Sequence, residues 1–141
     1  MKSFTRKSVF VLVTAAVAGM LGTAFAADEK VTLSGGNEVP AVTSSGSATG
    51  DVSVKDDGSV SGSIKVTGFS ATAAHIHQAA AGTNGPVIVP MTKQGDDTFV
   101  FPAGAKMTPE QLSAYKAGNT YVNVHSAANP GGEVRAQLKG K

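Results

Sequence analysis

Short segments in which apolar and polar residues alternate, each ended by a glycine-containing turn, constrain the fold of this chain more than any other feature. Alternation with a period of two is typical of β-strands, because successive side chains point to opposite faces of a sheet. The clearest example runs from Ala48 to Val54 and returns from Val60 to Val66, with Asp56-Asp57-Gly58 between the two runs. This stretch predicts a β-hairpin with a tight turn.

Further alternating or apolar runs extend the same pattern along the chain. They begin near Val31, Ala71, Val87, Asp97, Thr120 and Glu133. Seven to eight short strands at intervals marked by turns are typical of an all-β domain, an antiparallel Greek-key β-sandwich or barrel.

One short helix is predicted among the strands. Thr108 suits the N-cap, Pro109 suits the first helical position, and Gln111 completes a capping box with Thr108. Gly118 is placed to end the helix.

The first 26 residues have the pattern of a secretory signal peptide. A cationic start precedes an apolar run from Val9 to Leu21, and Ala24-Phe25-Ala26 is a small-x-small cleavage site. The apolar run is shorter than the roughly 20 residues that span a bilayer, so we expect cleavage and no stable membrane insertion. We therefore predict a single domain over residues 27–141, located in the periplasm or secreted.

Charge and cysteine content narrow the range of partners. The chain has 12 Lys and Arg against 10 Asp and Glu, and three of the cations precede residue 27, which leaves nine cations, ten acids and a net charge of −1. No cluster of Lys and Arg remains there, so we expect no nucleic-acid partner. The chain has no cysteine, which excludes disulfides and thiolate ligands and leaves imidazole, carboxylate and backbone groups for a metal.

The three histidines of the chain have a spacing that predicts a shared site. His75 and His77 lie on one face of their predicted strand, about 6.6 Å apart along it. In the later run, Tyr121, Asn123 and His125 share a face in the same way. We predict that the three imidazoles hold a metal ion, with copper first and zinc second, because imidazole binds both and affinity peaks at copper. The alternative is that each ring hydrogen-bonds a backbone carbonyl or faces solvent.

Five other polar residues are candidates for supporting or anion-binding roles. Tyr121 and Asn123 are placed either to fix an imidazole tautomer by hydrogen bonding or simply to pack between strands. Glu133 and Arg135 either pair with each other on a solvated face, or Arg135 lies at the mouth of the site and holds an anion. Glu38 lies in an extended segment flanked by glycine and is a candidate carboxylate ligand or a partner of backbone amides. No residue is assigned a catalytic role.

Several motifs occur in a fixed order over roughly Val31 to Leu138. They are Leu33-Ser34-Gly35 with Glu38-Val39-Pro40, Ala74-His75-Ile76-His77, Gly82 with Asn84-Gly85-Pro86, Leu112, Ala117-Gly118-Asn119 with Tyr121-Val122-Asn123-Val124-His125, and Asn129-Pro130-Gly131-Gly132-Glu133-Val134-Arg135. Together they resemble the CHRD (chordin) domain. That family occurs in exported bacterial proteins and in chordin, an extracellular antagonist of growth factors, so the resemblance implies an exported domain without assigning a reaction.

A second resemblance concerns the histidines. Val66-Thr67-Gly68-Phe69 leading to His75-Ile76-His77, followed by Val124-His125, is similar to the copper-ligand layout of copper/zinc superoxide dismutases. The similarity implies that His75, His77 and His125 are copper ligands and that Arg135 matches the arginine that guides the anionic substrate. The bridging and zinc-site histidines of those enzymes have no counterparts here. We therefore expect a binding protein more than an enzyme, with residual superoxide dismutase-like redox activity left open.

Two functions of different classes remain. The first is an exported domain whose partner is a metal ion and which serves copper buffering or tolerance. The second is a metal-free module whose loops bind another exported protein or a polysaccharide. The shared face of the histidines favours the first, and the absence of Trp with only two Tyr argues against an aromatic platform for sugars.

Overall fold

The computed structural model describes residues 27–140. The predicted signal peptide, residues 1–26, lies outside the described residues, and its cleavage stays a prediction. Within residues 27–140 no helix is long and apolar enough to cross a membrane.

The described part of the chain contains nine strands. They are β1 (Ala27–Leu33), β2 (Ser47–Val54), β3 (Val60–Thr67), β4 (Ala71–Gln78), β5 (Val87–Pro90), β6 (Thr92–Lys93), β7 (Thr98–Val100), β8 (Thr120–Ser126) and β9 (Val134–Leu138). A short 3₁₀ turn at Gly35–Asn37 follows β1.

These strands form two antiparallel sheets. The first has the order β1-β2-β3-β7-β6 and the second the order β5-β4-β8-β9, and the chain crosses between them after β3, β5 and β7. The all-β prediction is confirmed, and the architecture is a sandwich because neither sheet closes into a barrel. Thr92–Lys93 forms a two-residue strand that pairs with β7 and was not among the predicted strands.

The predicted hairpin is formed by β2 and β3, which pair from Val54 with Val60 outward. Its turn is fixed by a hydrogen bond from the Lys55 amide to the Ser59 carbonyl at 2.9 Å and by the Asp57 carboxylate, which accepts from the Ser59 amide at 2.9 Å. Gly58 has a φ of +89°, a conformation that favours glycine at this turn.

The apolar positions of both sheets face each other and form one core. Fully buried members from the two sheets include Leu33, Val52, Ile64, Ile76, Val122, Val124 and Leu138. Each such side chain contributes about 1.5–3 kcal/mol by leaving water. Because Ile76, Val122 and Val124 point inward, the residues that alternate with them in β4 and β8 lie on the outer face of the second sheet.

The predicted helix, α1 (Pro109–Lys116), lies in the connection from β7 to β8. Thr108 accepts from the Gln111 amide and Gln111 in turn accepts from the Thr108 amide, so the predicted capping box is confirmed. Tyr115, only 1% exposed, anchors the helix to the core.

The sandwich is joined along one side by β1 and β9, the edge strands of the two sheets. Ser34 and Arg135 exchange backbone hydrogen bonds of 3.2 and 3.0 Å, and the Glu29 carboxylate accepts from the Lys139 amide at 2.6 Å. This junction fixes the backbone of Arg135 beside the outer face on which the histidines lie.

Candidate metal centre

The three histidines project from the outer face of the second sheet because β4 and β8 are neighbours. Their register pairs His77 with Tyr121, His75 with Asn123, and Ala73 with His125. Residues opposite each other in an antiparallel pair share a face, so the side chains of all three histidines lie on one surface. The three side chains converge as the alternation predicted.

The imidazole rings lie close enough to serve one ion. The ring centroids of His75 and His125 are 4.8 Å apart, those of His75 and His77 5.5 Å, and those of His77 and His125 5.7 Å. One nitrogen from each ring lies within 4.8 Å of the others. Nitrogens of three histidines that bind one ion at about 2.1 Å are about 3.4 Å apart in tetrahedral geometry and about 3.6 Å apart in trigonal geometry. Side-chain rotations that shorten the widest separation by about 1.2–1.4 Å in total therefore fit the three residues to a single ion.

Backbone carbonyls orient two of the rings. His77 Nδ1 lies 3.0 Å from the Gly85 carbonyl and His125 Nδ1 lies 2.9 Å from the Pro130 carbonyl. A carbonyl oxygen only accepts, so each Nδ1 carries the proton and each Nε2 keeps a lone pair. Metal-ligating histidines usually donate their other ring N–H in this way.

The Nε2 atoms of His77 and His125 are left as hydrogen-bond acceptors, and that of His77 has no donor within residues 27–140. His125 Nε2 lies 3.0 Å from His75 Nδ1, which donates to it when no metal is bound. His77 is only 7% exposed, and its Nε2 atom is buried without any hydrogen-bond partner among the described residues. A buried lone pair left without a partner is costly, and a bound cation satisfies it.

The surroundings also favour the neutral form of two of the imidazoles, those of His75 and His77. Burial, with the neighbouring rings of His125 and His77, lowers the pKa of His75 to about 4. Burial likewise lowers the pKa of His77, against the opposing effect of its bond to Gly85. Because only neutral imidazole binds a metal, protons compete weakly for these two ligands near neutral pH.

Tyr121 on β8 lies between His77 on β4 and Arg135 on β9, because β8 is the strand between β4 and β9 in the second sheet. Its ring is parallel to that of His77, with an interplanar angle of 1° and centroids 4.8 Å apart. The Arg135 guanidinium carbon lies 3.4 Å from the centroid of the same ring. Tyr121 Oη accepts from the Gly85 amide at 3.2 Å, so the tyrosine also contacts the residue that orients His77.

Arg135 is buried, being only 1% exposed. It donates to the Asn84 side-chain oxygen at 3.1 Å and to the Thr83 carbonyl at 2.7 Å. Glu133 is also buried, and its carboxylate accepts from Ser44 at 2.8 Å, from Ser126 at 3.0 Å and from Asn129. The expectation that Glu133 and Arg135 pair with each other on a solvated face is therefore wrong, because both are buried and each has its own hydrogen-bond partners.

These contacts leave Glu133 ionised more readily than an ordinary glutamate. Burial on its own would raise its pKa, but the hydrogen bonds from Ser44, Asn129 and Ser126 lower the pKa of Glu133 below its usual value. The carboxylate thus secures the turn at Asn129, which precedes the carbonyl that orients His125.

Glu38 and Asn123 lie side by side next to the centre. Asn123 Nδ2 is 3.5 Å from Glu38 Oε1 and 3.4 Å from the Gly131 carbonyl. Burial raises the pKa of Glu38, although Arg135 and Asn123 act in the opposite direction. Glu38 is not among the residues grouped around the potential ion, so its place is beside Asn123 and not beside the histidines.

Two loops carry parts of the centre that the sequence did not reveal. The segment 79–86 supplies the Gly85 carbonyl and the partners of Arg135, and the segment 128–132 supplies the Pro130 carbonyl. Both segments lie outside the predicted strands and contain glycine and proline. Every residue has a carbonyl group, so no side-chain pattern marks the two that orient histidines.

Comparison with known families agrees with the motifs in the chain. The family model for the CHRD domain matches residues 30–138 of the chain. No curated protein and no solved structure matches the chain. The similarity to copper/zinc superoxide dismutases gains no support from these comparisons and stays a prediction.

Proposed function

Since the chain belongs to the CHRD domain family, we propose that it is an exported member of that family that binds copper through His75, His77 and His125. Its role is then copper buffering or tolerance outside the cytoplasm, with zinc as the second choice of ion. The observation that carries the proposal is the Nε2 atom of His77, which is buried without a hydrogen-bond partner among the described residues and belongs to a ring grouped with those of His75 and His125.

Hydrogen bonding among the three rings does not account for that atom. His75 Nδ1 donates to His125 Nε2 at 3.0 Å, so that nitrogen has a partner. His77 donates its Nδ1 proton to the Gly85 carbonyl, and the lone pair on its Nε2 atom has no hydrogen-bond partner in the described part of the chain. An ion held by all three histidines would satisfy every inward-facing nitrogen at once. The neutral state favoured for His75 and His77 supports the same conclusion.

The donor set supports copper ahead of zinc. The group of potential ligands among residues 27–140 consists of imidazoles alone, with no carboxylate in it. Imidazole suits both ions, and among divalent first-row metals affinity is highest for copper. Three protein ligands leave one position open, where copper would supply a redox-active centre accessible to a small ligand.

Export is the second part of the proposal. Its support is the cationic start, the apolar run from Val9 to Leu21 and the Ala24-Phe25-Ala26 site in the sequence. Intact mass of the protein recovered from the periplasm or medium tests it, with Ala27 expected as the first residue. Recovery of the intact chain in the cytoplasm would count against export.

Metal content tests the binding proposal directly. We expect purified protein incubated with copper, then freed of excess metal, to retain about one ion per chain. A variant with His75, His77 and His125 all changed to Gln should retain none while keeping the circular dichroism of the β-fold, because these side chains lie outside the core.

A control variant separates this centre from adventitious binding. Asp96→Asn with Asp97→Asn removes an exposed acidic pair far from the histidines in sequence and should leave copper content unchanged. Equal copper in the wild type and the triple histidine variant would refute the proposal.

A further inference from the structure

The loop at residues 79–86 supplies the carbonyl that orients His77. The loop itself has few buried side chains and few internal hydrogen bonds that would fix its conformation. Residues from Ala80 to Asn84 are exposed, and most of them are small. Within the loop, Thr83 donates to the Ala80 carbonyl through its amide and its hydroxyl. The position of the Gly85 carbonyl therefore depends on what holds the loop from outside.

Arg135 provides much of that hold. Its two terminal nitrogens donate to the Thr83 carbonyl at 2.7 Å and to the Asn84 side chain at 3.1 Å, two and one residues before Gly85. Both bonds come from a charged donor that is 1% exposed, a setting in which hydrogen bonds are stronger than in water. Asn84 is held on its other side by the Val39 carbonyl, to which it donates at 2.7 Å.

Tyr121 also connects Arg135 to His77, because it contacts both side chains and the backbone of Gly85. Its ring has the Arg135 guanidinium against it at 3.4 Å and the His77 ring parallel to it. Its hydroxyl accepts from the Gly85 amide at 3.2 Å, while the carbonyl of that same residue accepts from His77 Nδ1 at 3.0 Å. Gly85 thus joins the tyrosine and the histidine through its two backbone polar groups.

The close approach at Gly85 explains why no larger residue fits there. A Cβ atom on Gly85 would overlap the Gln78 carbonyl, and the neighbouring Pro86 carbonyl accepts from the Gln78 amide at 3.0 Å. The end of the loop is therefore packed directly against the end of β4, one residue beyond His77.

We propose that Arg135 is a positioning residue for the histidine centre. Acting through Tyr121 and the loop 79–86, it holds the Gly85 carbonyl against His77 Nδ1 and so keeps the Nε2 lone pair of His77 turned toward the ion. This role rests on the proposed metal function for its purpose, but the orientation of His77 is a property of the metal-free protein and is measured without metal.

The test is the tautomer of His77, read from ¹⁵N NMR of the metal-free protein at neutral pH. In the wild type we expect a single form with the proton on Nδ1. Arg135→Gln removes the positive charge and the planar guanidinium with its two donors to the loop. We expect the His77 signals to shift toward a mixture of the two tautomers, in which part of the protein carries the proton on Nε2. The affinity for copper should fall about 10- to 100-fold, the usual effect of losing an outer partner of a ligand.

Two further variants separate the routes. Tyr121→Phe keeps the ring stack but loses the hydroxyl bond to Gly85, so a smaller tautomer shift is expected. Arg135→Lys keeps the charge but does not reproduce the planar fork, so it should rescue the Arg135→Gln effect only in part. Val52→Ala, a buried change in the other sheet, lowers stability without contacting the loop and should leave the His77 signals at their wild-type positions.

The outcomes are distinct for the two proposals. A folded Arg135→Gln protein that keeps the wild-type His77 tautomer overturns the positioning role, whatever its metal content. The same tautomer shift in Val52→Ala also overturns it, because general loosening would then suffice. A wild-type protein that binds no copper but shows the tautomer shift in Arg135→Gln refutes the metal function and leaves the positioning of His77 established.

Discussion

Acidification of the metal-free protein should lower its stability through His75. Its pKa of about 4 in the folded chain lies below the ordinary value of 6.5, so the folded state binds fewer protons than the unfolded state. The stabilisation is therefore present above pH 6.5 and is lost as the pH falls from 6.5 toward 4. Between pH 7.5 and 5.5 the loss in the free energy of unfolding is about 1.3 kcal/mol from linkage, or about 0.7 kcal/mol after discounting for solvent around this half-buried ring.

Urea denaturation with chelator present, at several pH values in that interval, measures the effect. His77 acts in the same direction, so the contribution of His75 is the difference between the wild type and His75→Gln. We expect the variant to lose about 0.7 kcal/mol less than the wild type between pH 7.5 and 5.5. Stability that does not change with pH in the wild type, or an equal loss in both proteins, would refute the account of the buried imidazole.

Three other experiments have defined outcomes. Gly132→Ala should cost about 1–3 kcal/mol in chemical denaturation, because Gly132 has a φ of +136° and an added Cβ would overlap Glu38 and lie 2.6 Å from Asn123 Nδ2. Gly131→Ala, where an added Cβ meets nothing within 4 Å, should stay within about 0.5 kcal/mol; similar costs would disprove the steric argument. Thr108→Ala should cost about 1 kcal/mol by removing the helix cap, and an unchanged denaturation midpoint would contradict it. Free copper at 100 times its dissociation constant should raise the free energy of unfolding by about 2.7 kcal/mol in the wild type and not in the triple histidine variant, as measured by thermal or urea unfolding.

The fold was predictable to the extent that local chemistry decides it. The turn at Asp57 and Gly58 joins two alternating runs, and Thr108 with Gln111 caps the helix, because each feature depends on residues adjacent in the chain. The short strand Thr92–Lys93 was not predictable in the same way. Its pairing with β7 depends on where the chain crosses between sheets, and two polar residues carry no period.

The candidate site divides along the same line. The shared face of the three histidines follows from the alternation within β4 and β8 and from the pairing of those strands. The burial of Glu133 and Arg135 did not follow from the alternation of the last strand, because partners of each come from loops distant in sequence, Ser44 for Glu133 and Thr83 for Arg135. Alternation alone predicts that a charged residue on the outer face of a strand is exposed to solvent, and only the tertiary structure shows that a loop covers it.

The convergence of the three imidazoles on one ion is tested most directly by anomalous diffraction from crystals of the protein grown with copper. We expect one anomalous peak on the outer face of the second sheet, about 2.0–2.1 Å from a nitrogen of each of His75, His77 and His125. Copper-saturated crystals with ordered histidines and no peak between them, or with copper bound elsewhere on the chain, would contradict the proposed function.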